Sequence, residues 1–136
     1  MDSPVNAELL RRTLQHIETH PDDWDQASLG CSRPDGSAVA DFAGWAVMLA
    51  DPQARPPAGH RDYRGDWRAD EAWVIQGVWA QAHACQLLGL SVTQRQVFFR
   101  HDWDLIALRR GVEALCAGQR ITARRLRAIM MGDPFS

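Results

Sequence analysis

Between residues 5 and 19, Val5, Leu9, Leu10, Leu14 and Ile17 recur on one side of a 3.6-residue period, with Glu8, Arg11, Arg12, Gln15 and Glu18 opposite. This spacing predicts an amphipathic helix. It ends at His20, because a residue before proline, here Pro21, is pushed out of helical geometry. Residues 38–50 are apolar almost all round, with Asp41 the only charge, which is the pattern of a helix enclosed by other helices. A central position is therefore predicted for it. Gly44 costs about 1 kcal/mol relative to alanine in a helix interior, an amount that close packing is expected to offset.

Residues 72–88 run without a breaker except Gly77 and stop at Gly89, so a long helix is predicted there, started by Asp70 and Glu71 through the dipole and packed on the central one. Thr93 is expected to cap a short helix through Phe99. Asp102 is expected to cap a longer one through Ala117, with Leu105, Leu108, Val112 and Leu115 inward and Gly118 closing it. Thr122 caps a last helix whose apolar edge is Leu126, Ile129 and Met130. No window alternates with period two. The fold class this predicts is all-α: one compact domain over residues 1–136, built of about six helices around a central apolar one.

Two connecting stretches stand out. Residues 20–37 hold the turn formers of His-Pro-Asp-Asp-Trp-Asp and Arg-Pro-Asp-Gly-Ser, and Trp24 within them is expected to fold back onto the core. Residues 51–68 are rich in proline, glycine and arginine and longer than most connections inside a domain, so a long loop is predicted.

Composition narrows the chemistry. All 15 basic side chains are arginine, so no Schiff base and no phosphate-cradling lysine can form. A hydrophobic fraction of 46% with 24% charged residues fits a globular chain, and the net charge of −2 names no partner. Residues 1–104 carry nine arginines against 15 acids and residues 105–136 carry six against two, which predicts electrostatic pairing between the last helices and the rest, or an anion-binding end. Three cysteines without C-x-x-C spacing read as reduced thiols. With no signal-like start and no run of about 18 apolar residues, a cytoplasmic chain that does not enter a membrane is expected.

Catalytic and metal motifs do not rise above background. His16 and His20 stand one helical turn apart, and His60, His83, Cys31 and Cys85 are further donors, but no H-E-x-x-H accompanies them and no metal is expected. The Asp22-Asp23-Trp24-Asp25 cluster lacks the spacing of a calcium loop, and His101-Asp102-Trp103-Asp104 reads as helix capping. No nucleophile elbow, phosphate loop or dinucleotide fingerprint occurs, so the chain reads against an enzyme and no cofactor is expected. Cys31, in a polar loop, is the thiol expected to react most readily.

Binding signals are stronger. From His60 to Arg68 the chain interleaves Arg61, Tyr63, Arg64, Trp67 and Arg68, side chains that dominate contact hot spots, and the last helix offers Arg124, Arg125 and Arg127. The primary expectation is capture of another macromolecule, a protein ahead of nucleic acid, with self-association into a homo-oligomer left open. A second is a small enzyme or small-molecule carrier with a pocket lined by Trp45, Trp73, Trp79 and His83 between helices. A third is a DNA-binding regulator that uses the helical hairpin of residues 105–131.

Finally, Asp41-Phe42-Ala43-Gly44-Trp45-Ala46, with His-Pro-Asp-Asp-Trp-Asp-Gln upstream and Gln-Leu-Leu-Gly-Leu-Ser downstream, resembles a loose group of small actinobacterial and phage proteins. The likeness spans residues 9 to about 115. It implies a helical domain of bacterial origin, and no functional residue comes with it because that group has no established activity.

Overall fold

The computed structural model describes residues 5–117 and 120–133 of the chain. Among the described residues there are six α-helices, α1 (Ala7–Thr19), α2 (Phe42–Ala50), α3 (Ala80–Leu88), α4 (Val92–Phe98), α5 (Leu105–Leu115) and α6 (Ala123–Met130), and a short 3-10 turn at Pro21–Asp23. The expected all-α class is overturned by three antiparallel two-stranded sheets. They pair β1 (Cys31–Ser32) with β2 (Ala38–Val39), β3 (Gly59–Arg61) with β4 (Trp67–Ala69), and β5 (Val74–Ile75) with β6 (Val78–Trp79). The domain is mixed, and helix dominates it.

The largest correction falls in residues 72–88, where the first half is hairpin rather than helix. Gln76 and Gly77 both have positive φ, 53° and 80°, the pair of left-handed residues that a tight two-residue hairpin turn requires. They are flanked by Val74, Ile75, Val78 and Trp79, β-branched and aromatic side chains that favour strands. Gly77 is thus a turn and not a tolerated helix interior. Only the nine residues of α3 remain helical, ending at Gly89 with φ 72°. The other two hairpins have their turns in stretches expected to be loops, through Gly36 and Gly65, also at positive φ. But β2 takes Ala38 and Val39 from the start of the helix expected over residues 38–50: they pair with Ser32 and Cys31, and the helix begins only at Phe42.

Caps are shifted as well. Asp41 is the N-cap of α2 and lies outside the helix, accepting the Gly44 N–H at 2.8 Å. Ser91 caps α4 in a reciprocal box with Gln94, because its hydroxyl meets the Gln94 N–H; the expected Thr93 lies inside the helix. Asp104 caps α5, while the expected Asp102 pairs with Arg100. Thr122 does cap α6. Gly118, expected to close α5, lies outside the described residues.

One apolar cluster draws on all six helices. Phe42 and Phe98 meet edge to face at 4.9 Å, and Leu10, Ile17, Leu88, Leu108 and Leu126 are fully enclosed around them. Helix α2 packs between α1 and α3, and α5 packs on α1 and α6. Trp73 lies over the backbone of α2: a methyl added at Gly44 would fall 3.2 Å from its ring and 2.6 Å from the Ala40 methyl. That close approach is the packing for which Gly44 is needed. No helix among the described residues is long and apolar enough to cross a membrane.

Segment 20–37 is fastened by backbone bonds of Asp23, Asp25 and Ser28 to Ala40 and Asp41, and by one buried amide. Gln26 Oε1 accepts both the Trp24 indole N–H and the Phe42 N–H, each at 3.1 Å, and its amide donates to the Arg100 carbonyl at 3.1 Å. Trp24 accordingly packs against the core as a partly buried side chain.

Candidate interaction surface

The β3–β4 hairpin is built from local hydrogen-bonding chemistry. Asp62 is its hub: one carboxylate oxygen accepts the Arg64 N–H at 2.8 Å and the Asp66 N–H at 3.0 Å, and the other pairs with Arg68 Nε at 2.8 Å. The hydrogen bond from Arg68 holds the Asp62 carboxyl below the usual carboxylate range. Backbone bonds from Asp62 to Asp66 and from Gly65 to Asp62 close the same turn. At its base, His60 Nδ1 meets Asp70 Oδ1 at 2.7 Å.

This fixed turn displays its aromatic side chains with arginines over them. Tyr63 is 90% exposed and the Arg64 guanidinium lies 5.3 Å from its ring centroid. Trp67, half-buried, faces Arg61 across the strand pair, with 5.2 Å between guanidinium and ring, and Arg33 approaches the same ring at 5.8 Å. The structure therefore brings Arg61, Tyr63, Arg64, Trp67 and Arg68 together on one hairpin. Arg33 was missed by the sequence reading. It arrives because Ser32 docks on residues 56–58, its N–H donating to the Pro57 carbonyl and its hydroxyl to the Pro56 carbonyl, a contact that no local pattern announces. Arg33 is itself anchored to Asp23 at 2.7 Å.

Arg124, Arg125 and Arg127 are exposed on α6, and none of them appears in an ion pair with a described residue. Pairing of the basic end with the rest of the chain is carried by α5, where Arg109 grips Glu18 of α1 through two nitrogens.

The tryptophans expected to share a pocket lie in three different settings. Trp73 is buried and helps line a cleft of about 320 Å³ together with Ala54, Pro57, Glu71 and Val74. Neither Trp45 nor Trp79 lines that cleft. Trp45 lies against His16 with ring centroids 4.3 Å apart and planes tilted by 41°, and donates its indole N–H to the Asp23 carbonyl at 2.8 Å. Trp79 is 63% exposed on the β5–β6 hairpin, opposite the exposed Val74. His83 is half-buried on α3 and forms no ion pair with a described residue.

Other reactive groups are structural in their surroundings. His16 and His20 stack at 4.4 Å, and burial followed by the charge of His20 lowers the His16 pKa. No group of three metal-ligating side chains comes together among the described residues. Cys31 is a correction: it is fully buried in β1 rather than in an open polar loop, and burial raises its thiol pKa as it does those of Cys85 and Cys116, of which Cys116 alone is partly exposed. The most perturbed acid is Asp41, 1% exposed, with Oδ2 lacking any hydrogen bond; burial pushes its pKa up to about 7.

No family model matches the chain, and neither a curated protein nor a solved structure is found to be similar to it.

Proposed function

We propose that this chain is a binding module that captures a partner protein through the β3–β4 hairpin. The observation carrying this reading is the display of Tyr63, 90% exposed, on a turn locked by the Asp62 hydrogen bonds and backed by Arg64. A ring that is 90% exposed, with only the Arg64 side chain beside it, takes little core packing with it when it is removed. A fixed turn also leaves little conformational entropy to lose on association, so its contact area converts more fully into affinity. Tyrosine, tryptophan and arginine are the side chains over-represented where binding energy concentrates. A cytoplasmic setting fits the three free cysteines, two of them buried, which suit a reducing compartment.

A photo-crosslinking amino acid at position 63 tests this reading. In a lysate of the source organism it should capture one defined protein, and Arg61→Ala with Arg64→Ala should abolish the adduct. The same crosslinker at Gln96, exposed on α4, is the control. Equal capture from both positions, or an adduct indifferent to the arginines, would sink the reading.

A further inference from the structure

We infer that the surface recognised by this hairpin is an acidic protein segment, whose spaced carboxylates pair with Arg61 and Arg64 while an apolar or aromatic side chain lies on the open face of Tyr63. The inference rests on the binding role proposed above and gives its partner a chemistry.

The argument is one of unmatched charge. Of the three arginines in the hairpin, Arg68 is neutralised by Asp62. Arg61 and Arg64 have no carboxylate partner among the described residues. Both are exposed, and both are held by a ring instead, over Trp67 and Tyr63 respectively. Stacking orients a guanidinium by its flat face and leaves its donor edge free for a two-point contact with a carboxylate or phosphate. The nearby acids are mostly occupied already, Asp62 by Arg68 and the turn amides and Asp70 by His60.

Carboxylates are favoured over a nucleic-acid strand for two reasons. A strand presents a phosphate at each nucleotide and is gripped by continuous positive charge with successive stacking rings. Here Asp62 and Asp66 interrupt the arginines. The Trp67 ring already has Arg61 and Arg33 against it, which leaves Tyr63 as the open platform of the pair. An acidic segment with charges set apart by uncharged residues fits such an interrupted surface.

The test uses a fluorescent Glu/Tyr copolymer and fluorescent oligo-dT as probes, with the full chain and anisotropy as the readout. The wild-type chain should bind the copolymer, more weakly as salt rises. Arg61→Ala with Arg64→Ala should weaken binding by about tenfold, the loss of two partly exposed ion pairs. Tyr63→Ala should weaken it without changing the salt dependence. An unchanged melting temperature in both variants shows that they remain folded. No copolymer binding, equal binding by the arginine variant, or oligo-dT binding as tight as the copolymer would each overturn the inference. A crosslink at position 63 that persists under any of these outcomes leaves the binding role intact and removes only the acidic partner.

Discussion

The substitution Asp41→Asn separates the two halves of one side chain's job. Oδ1 caps α2 by accepting the Gly44 N–H, while Oδ2 is buried without a hydrogen bond. Burial raises the folded pKa from 3.8 to about 7, the hydrogen bond from the Gly44 N–H opposing it. Each pKa unit is worth about 1.4 kcal/mol, so a shift of roughly three units corresponds to at most about 4 kcal/mol. The sign follows from where the proton is held. Below the unfolded value both states are neutral and the folded chain carries no penalty. As pH rises toward 7 the unfolded carboxyl ionises first, stability falls, and above the folded value the loss levels off. The positive end of α2 favours the anion by about 0.3–1 kcal/mol, which trims the total. Asparagine caps a helix about as well as aspartate and cannot ionise.

Asp41→Asn should therefore raise stability by about 1–3 kcal/mol near pH 8 and change it little near pH 4. Urea unfolding followed by tryptophan fluorescence, repeated across that range, measures both curves, and their difference isolates Asp41 from the histidines common to them. Parallel curves, or a variant less stable than the parent at alkaline pH, would refute the assignment of a costly buried carboxylate.

Four further substitutions or probes bear on the packing. Gly44→Ala should cost about 1–3 kcal/mol by overpacking against Ala40 and Trp73, readable as a lowered urea midpoint. Gln26→Ala removes the partner of two N–H donors and of one carbonyl, and should cost about 2–4 kcal/mol, since each buried group left unpaired costs about 1–3. Glu18→Gln breaks an exposed bridge to Arg109 and should shift stability by less than about 1 kcal/mol, an effect that vanishes in high salt. Iodoacetamide should label Cys31 only as fast as the chain unfolds, so mass spectrometry of the native protein finds it unmodified, while denaturant exposes it at once.

What was legible from sequence was what period and composition govern. The apolar stripes of α1 and α5, the enclosed character of α2, and the cap at Thr122 all followed from side-chain spacing. The hairpins did not, because strands of two or three residues are too short to show alternation, and a breaker-free apolar run reads as helix until its turn is recognised. Gln76-Gly77 carried that signal in a pair less familiar than Asn-Gly. In the candidate surface, the residues from Arg61 to Arg68 could be grouped because they are neighbours in sequence. Arg33 could not, since its place over Trp67 depends on β1 docking beside residues 56–58. The tryptophan pocket failed to assemble for the converse reason: Trp45, Trp73 and Trp79 look alike as letters, yet one leans on a histidine, one is interior and one stands in water.

The three bonds of Gln26 make segment 20–37 a participant in global unfolding rather than a fringe of it. Its amide ties the stretch to the start of α2 and to the connection between α4 and α5, beside the backbone bonds that join Asp23, Asp25 and Ser28 to Ala40 and Asp41 and the Trp45 indole on the Asp23 carbonyl. Opening the stretch alone would strand the Phe42 N–H in the interior. Its amide protons should consequently exchange with solvent deuterium on the timescale of whole-chain opening, much later than an irregular, proline-bearing segment would on its own.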